Sequence, residues 1–127
     1  MAFPLKRILA FMPGSFLVAL SSVEIEREDG SALVLDADGW SVTFDKRTQA
    51  VSYSGRSVAS FSSLDAIEVA HYVNGKRYEW WVLRLKLFGG KKVFIGRSTD
   101  AAQVSVAAAH AATITGKSVR AAKGVGL

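Results

Sequence analysis

Cysteine is absent from this chain, which excludes disulfides, thiolate-bound metal and a cysteine nucleophile, and leaves packing to hold the fold together. Proline occurs only at positions 4 and 13, so no ring interrupts a strand or helix anywhere beyond residue 13. Imidazole is scarce as well. His71 and His110 stand alone, without cysteine or a closely spaced carboxylate, and make no metal motif. The uncharged stretch 8–23 has sixteen residues, short of the about 20 that a membrane-crossing helix needs, and Pro13-Gly14 breaks it near its middle.

What is present describes one folded domain, residues 1–127. Half of the residues are hydrophobic and 21% are charged, far from the profile of a disordered chain. The net charge of +5 hides a polarity along the sequence. Residues 24–45 hold seven acids (Glu24, Glu26, Glu28, Asp29, Asp36, Asp38, Asp45) against Arg27, whereas residues 76–97 hold seven bases against Glu79. Such stretches either neutralise one another within a molecule or join one copy to the next.

Residues 1–22 form an apolar N-terminal segment. Lys6 and Arg7 precede the uncharged run, and Ala19 and Ser21 occupy the −3 and −1 places of a small-residue cleavage site, so the segment has the outline of a targeting signal. A membrane-associated segment and an element packed on the domain or on a partner copy are the alternatives. We expect it to belong to the ordered assembly.

Residues 23–99 show short alternating stretches separated by turn residues, the pattern of half-buried antiparallel strands. Val23-Glu24-Ile25-Glu26 alternates up to Asp29-Gly30. Trp40, Val42 and Phe44 share a face, as do Val51 and Tyr53 before Gly55. Ile67, Val69, His71 and Val73 lead to Asn74-Gly75, a hairpin signal. Trp81, Leu83, Leu85 and Leu87 lead to Gly89-Gly90, with Val93 and Ile95 beyond. Keeping these leucines on one face with Val93 and Ile95 requires an odd loop, Phe88-Gly89-Gly90 or Gly89-Gly90-Lys91. Arg84, Lys86, Lys92 and Phe94 then share the other face, with Trp81 expected inside and Trp80 outside. His71 lies opposite Glu79 if Asn74-Gly75-Lys76 is the loop.

A closing helix is expected over residues 100–116, with Asp100 and Gln103 at capping-box spacing and Gly116 as the stop. Residues 101–115 contain no Asp, Glu, Lys or Arg, whereas a surface helix ordinarily has a charged face. Such a helix is expected to pack against its own sheet and against something else, with Ala102, Ser105, Ala109 and Ala112 as candidate oligomer contacts. Residues 117–127 read as a basic tail carrying Lys117, Arg120 and Lys123.

From about residue 40 to 119 the order of elements resembles the bacterial pleckstrin-homology-like (PH-like) domains. The likeness rests on the Trp40-Ser41-Val42-Thr43-Phe44-Asp45 strand and Ser63-Leu64-Asp65-Ala66-Ile67, then on the long hairpin, the Gly-Gly hairpin and a helix entered through Ser98-Thr99-Asp100. The resemblance implies a mainly β fold, a strongly bent antiparallel sheet of about seven strands forming a nearly orthogonal barrel plugged by one C-terminal helix. PH-like domains bind lipids, peptides or each other. The acidic first strands here lack the basic cluster used for phosphoinositides, and the helix lacks the tryptophan of the eukaryotic members.

Several motifs have ordinary explanations. Residues 111–118 satisfy a relaxed phosphate-loop pattern, but the chemistry needs that loop to precede a helix, and here it follows one. Asp36, Asp38 and Gly39, with Asp45, imitate part of a calcium loop whose first ligand place is Val34. Ser57, Ser60, Ser62 and Ser63 lie in no nucleophile elbow. No acid, base, nucleophile and oxyanion set assembles, so neither an enzyme nor a cofactor or small-molecule substrate is expected. The expectation is a non-catalytic interaction or structural subunit that self-associates or meets a protein partner. The alternative is a cytoplasmic, membrane-associated protein binding anionic lipid through Trp80, Arg84, Lys86, Lys92 and Phe94. Nucleic acid is not an expected partner.

Overall fold

The computed structural model describes residues 21–75 and 78–123. Expectations for the N-terminal segment up to residue 20 therefore lie outside the described residues. β1 (Val23–Glu28), β2 (Ala32–Ala37), β3 (Trp40–Asp45), β4 (Ala50–Tyr53) and β5 (Arg56–Ser60) pair in chain order as an antiparallel meander. Tight turns dictate that order. At Asp38-Gly39 both residues take left-handed φ, 59° and 85°, as the mirror-image two-residue turn requires to match strand twist. Asp36 Oδ1 accepts the Gly39 N–H at 2.7 Å, so this acidic cluster is turn chemistry.

A 3-10 turn at Phe61–Ser63 leads to the second sheet: β6 (Leu64–Asn74), β7 (Tyr78–Leu87) and β8 (Lys92–Ser98), followed by helix α1 (Ala101–Thr115) and β9 (Val119–Lys123). Its strand order is β8-β7-β6-β9, with β9 parallel to β6. The expectation of one bent seven-stranded barrel is therefore corrected. Among the described residues there are nine strands in sheets of five and four, and no ladder closes them into a barrel. The basic tail is corrected as well, because residues 119–123 are a strand whose ladder begins where the Ile67 N–H donates to the Ser118 carbonyl at 2.9 Å.

The two sheets and the helix enclose one apolar core. Leu33, Leu35, Val42, Phe44 and Val51 meet Leu64, Ile67, Leu83, Leu85 and Ile95, and α1 closes it with Val104, Ala107, Ala108 and Ala111. The helix residues recur at i, i+3, i+4 and i+7, so they form one stripe. Asp100 caps the helix by accepting the Ala102 N–H at 3.0 Å, and Gly116 ends it with φ 74°. The capping box does not form. Gln103 Oε1 instead accepts the Val23 N–H at 2.9 Å, and His110, seven residues on, pairs with Glu28, so one helix face pins both ends of β1.

The β7–β8 register settles the hairpin. Lys86 opposes Lys92 and Leu85 opposes Val93, which makes Phe88-Gly89-Gly90 the loop, one of the two odd alternatives. Arg84 then opposes Phe94 but Leu83 opposes Gly96, so Ile95 is an extra residue in a bulge. The bulge turns Gly96 toward the first sheet, where a Cβ would come within 2.8 Å of Val23 Cγ2 and 3.0 Å of Ala37 Cβ. Glycine lets the sheets approach at this seam.

The tryptophans need a correction. Trp81 lies on the core side, as alternation requires, but is only half-buried, stacked on His71 at 4.6 Å. Trp80 is the more buried of the two, 5% exposed, packed with Ala70 and Val82 and stacked on Tyr72 at 5.6 Å. The outer distal part of the hairpin is covered, whereas its core side extends past the layer that would cover Trp81. Asn74 is paired with Tyr78 rather than lying in the loop, so His71 opposes Trp81 and reaches Glu79 diagonally, Nε2 to Oε2 3.0 Å.

Candidate functional site

The outer face of the second sheet carries the five residues expected there. The pairs Arg84–Phe94 and Lys86–Lys92 place four of them side by side, and Trp80 lies two outward positions further along β7, beyond Val82. Four of the five are not available in the form expected: Trp80 is covered, and the three cations are paired. Arg84 Nε donates to Glu68 Oε1 at 2.7 Å and its Nη1 donates to Tyr72 Oη at 3.0 Å. Lys92 Nζ lies 3.7 Å from the same Glu68 oxygen, and Lys86 Nζ lies 3.6 Å from Asp65 Oδ2, which Arg120 also approaches at 3.4 Å. Burial alone would raise the Glu68 carboxyl, but the hydrogen bond and charge of Arg84, with Lys92 and Lys86 behind it, hold it below the ordinary glutamate value.

Glu68 and Asp65 were not recognisable as partners from composition. Glu68 alternates with Ile67 and Val69 and so points outward, and only the hairpin register sets it opposite Arg84. Among the described residues no ion pair joins the acidic stretch 24–45 to the basic stretch 76–97. The basic strands are neutralised from β6 instead.

Phe94 behaves differently. It is 52% exposed and stands where three grooves adjoin. One, of about 350 Å³, runs over Trp80, Arg84, Lys92 and Arg97. A second, of about 470 Å³, lies against Trp40, Tyr53, Arg56 and Val93. The third, of about 420 Å³, reaches Asp38, Gly96 and Arg97 along the seam between the sheets. Trp40 and Tyr53, with ring centroids 6.1 Å apart, belong to this surface although sequence alternation places Trp40 with the core residues Val42 and Phe44. Trp40 opens β3, at the end of the meander, and is 39% exposed.

The helix supplies a second surface. Ala102, Ser105 and Ala109 are exposed, as is Val106 at 50%, while Ala112 is half-buried against the core. Three of the four candidate contacts thus lie on the open side of α1. Among the described residues no cluster of three His, Cys, Asp or Glu side chains could hold a metal ion, and no helix is long and apolar enough to cross a membrane. No family model matches this chain, nor does any curated protein or solved structure.

Proposed function

We propose that the protein is a non-catalytic interaction or structural subunit that self-associates through the outward face of α1, in the manner of a PH-like module acting in the cytoplasm. The observation that carries this reading is the exposed row Ala102, Ser105, Val106 and Ala109, which has no charged side chain to keep it in water. Apolar patches rimmed by polar residues mark contacts. Small side chains let a second backbone approach closely, and the same row on a second copy is self-complementary about a twofold axis. The acids of β1, exposed from Glu24 to Glu28, flank this contact and set its orientation.

Light scattering of the purified chain across a salt series tests this. The assembly should persist or tighten at high salt, because screening weakens charge contacts and not apolar ones. Ala109→Glu and Val106→Glu should each shift the mass to that of a monomer with the fold intact by circular dichroism. A wild type that is already monomeric at low salt contradicts the proposal.

A second reading, attachment to an anionic membrane surface, is favoured by Phe94 standing half-exposed beside Lys92 and Arg97. The carboxylates of Glu68 and Asp65 weaken it by compensating the neighbouring cations. Co-sedimentation with phosphatidylglycerol vesicles, lost in Phe94→Asp, is its test.

A further inference from the structure

Each sheet ends in two edge strands, β1 and β5 in the first, β8 and β9 in the second. An edge presents a row of N–H and C=O groups that another chain can pair with, and proteins blunt such edges with bulges. Three of the four edges are blunted in that way, because Glu26 in β1, Val58 in β5 and Ile95 in β8 are extra residues with no partner across the ladder. β9 instead pairs with β6 residue for residue, from Ile67–Val119 to His71–Lys123, without a shift. We infer that the open edge of β9 is a docking site for an extended acidic segment of another protein, which adds to the four-stranded sheet as one more strand.

The ladder fixes which groups are on offer. The Ile67 N–H donates to the Ser118 carbonyl at 2.9 Å, and in a parallel pair alternate residues of a strand turn both backbone groups to the same neighbour. Ser118, Arg120 and Ala122 therefore face β6, and Val119, Ala121 and Lys123 turn theirs outward. Among the described residues no strand pairs on that side. Val119 is 43% exposed, and Arg120, Ala121 and Lys123 are exposed as well. Charge selects the guest. Residues 117–123 carry Lys117, Arg120 and Lys123 and no acid. Asp65 reaches Arg120, but among the described residues no carboxylate pairs with Lys117 or Lys123.

A second copy is a poor guest by the same criterion. Its β9 repeats these cations, and like charges across a ladder destabilise the pairing. Its acidic β1 is bulged at Glu26, and the Val23 N–H there is already held by Gln103. An antiparallel guest that suits the edge has a carboxylate opposite Arg120 on the outer face, and on the inner face a second carboxylate opposite Lys123 and an apolar side chain opposite Val119. This site needs no second copy and so does not rest on the α1 contact proposed above.

Amide exchange in the full chain, followed residue by residue by NMR, tests the assignment. Without a guest, the amides of Val119, Ala121 and Lys123 should exchange fast and those of Arg120 and Ala122, bonded to β6, slowly. The acetylated, amidated peptide Thr-Glu-Thr-Val-Glu-Val-Thr at about ten times its Kd should slow the three outward amides about tenfold and leave Arg120 and Ala122 as they were. The same peptide with both Glu replaced by Lys should protect none of them. Ala121→Pro removes an outward donor and no bond to β6, so it should abolish the protection while the slow exchange of Arg120 is kept. Lys123→Glu, which adds no ring to the strand, should weaken binding of the acidic peptide several-fold. No protection by the acidic peptide at millimolar concentration, equal protection by the lysine peptide, or protection that survives Ala121→Pro overturns the proposal. Outward amides already slow in the free protein overturn it too, and their quickening on dilution would name a second copy as the occupant.

Discussion

Replacing Gly96 by alanine puts a methyl group into the seam where β8 meets β1 and β2. The added Cβ would lie 2.8 Å from Val23 Cγ2, 3.0 Å from Ala37 Cβ and 3.7 Å from Ala37 Cα. Carbon atoms sit best about 3.5 to 4.0 Å apart, so the first two contacts must open by about 1 Å or slightly less. Neither neighbour yields easily. Val23 is β-branched and buried, with its N–H held by Gln103, and the Ala37 side chain has no rotamer to change. The strain falls on the backbone at the Ile95 bulge, and overpacking of this kind costs about 1–3 kcal/mol. With a urea slope of about 1–3 kcal/mol per molar, the unfolding midpoint should fall by roughly 1 M. Val23→Ala on its own should cost about 1–3 kcal/mol through two lost methyl groups and the space they leave. In the double variant the new methyl fills part of that space, so the combined loss should be smaller than the sum by about 1 kcal/mol or more. A Gly96→Ala midpoint equal to wild type, or strictly additive losses in the double variant, would refute this account of the seam.

Two further outcomes follow from the second sheet. Trp80→Ala should cost about 3–5 kcal/mol, more than Trp81→Ala, because Trp80 is almost fully covered and Trp81 is not; denaturant titration of the two variants ranks them. Glu68 is depressed in the folded state, so its contribution to stability is complete above the ordinary glutamate value and is lost as the pH falls through the folded value. Urea midpoints measured from about pH 7 down to about pH 3 should therefore decline more steeply for wild type than for Glu68→Gln, which should already be the less stable at neutral pH. Parallel acid limbs for the two proteins would contradict the Arg84–Glu68 assignment.

Much of the fold is legible in the sequence where the signal is local. The helix is set by its alanines, by Asp100 before it and by Gly116 after it, and the structure shows it within one residue of the expected limits at each end. The Gly89-Gly90 hairpin follows from keeping leucines, valine and isoleucine on one face. Other elements have no local signal of their own. β2 reads Ala32-Leu33-Val34-Leu35, a continuous apolar run without alternation, because Val34 on the second face is partly covered too. β9 contains two alanines between basic residues and looks like a fraying end. It becomes a strand only because the edge of β6, some fifty residues earlier in the chain, supplies the ladder.

The candidate site divides in the same way. Alternation along β7 and β8, with an odd loop between them, places Arg84, Lys86, Lys92 and Phe94 on one face, since strand geometry gives a period of two and a loop passes that phase on. Whether a face is covered, and whether a cation is paired, depends on segments distant in the chain. Glu68 reaches Arg84 through the β6–β7 register, Ala122 comes beside Trp80 through the parallel ladder, and Trp40 and Phe94 line one groove only because two separate sheets close on each other. Periodicity and turns are properties of a few adjacent residues, so the sequence alone determines them; burial and electrostatic compensation are properties of what stands opposite, and the tertiary structure alone decides those.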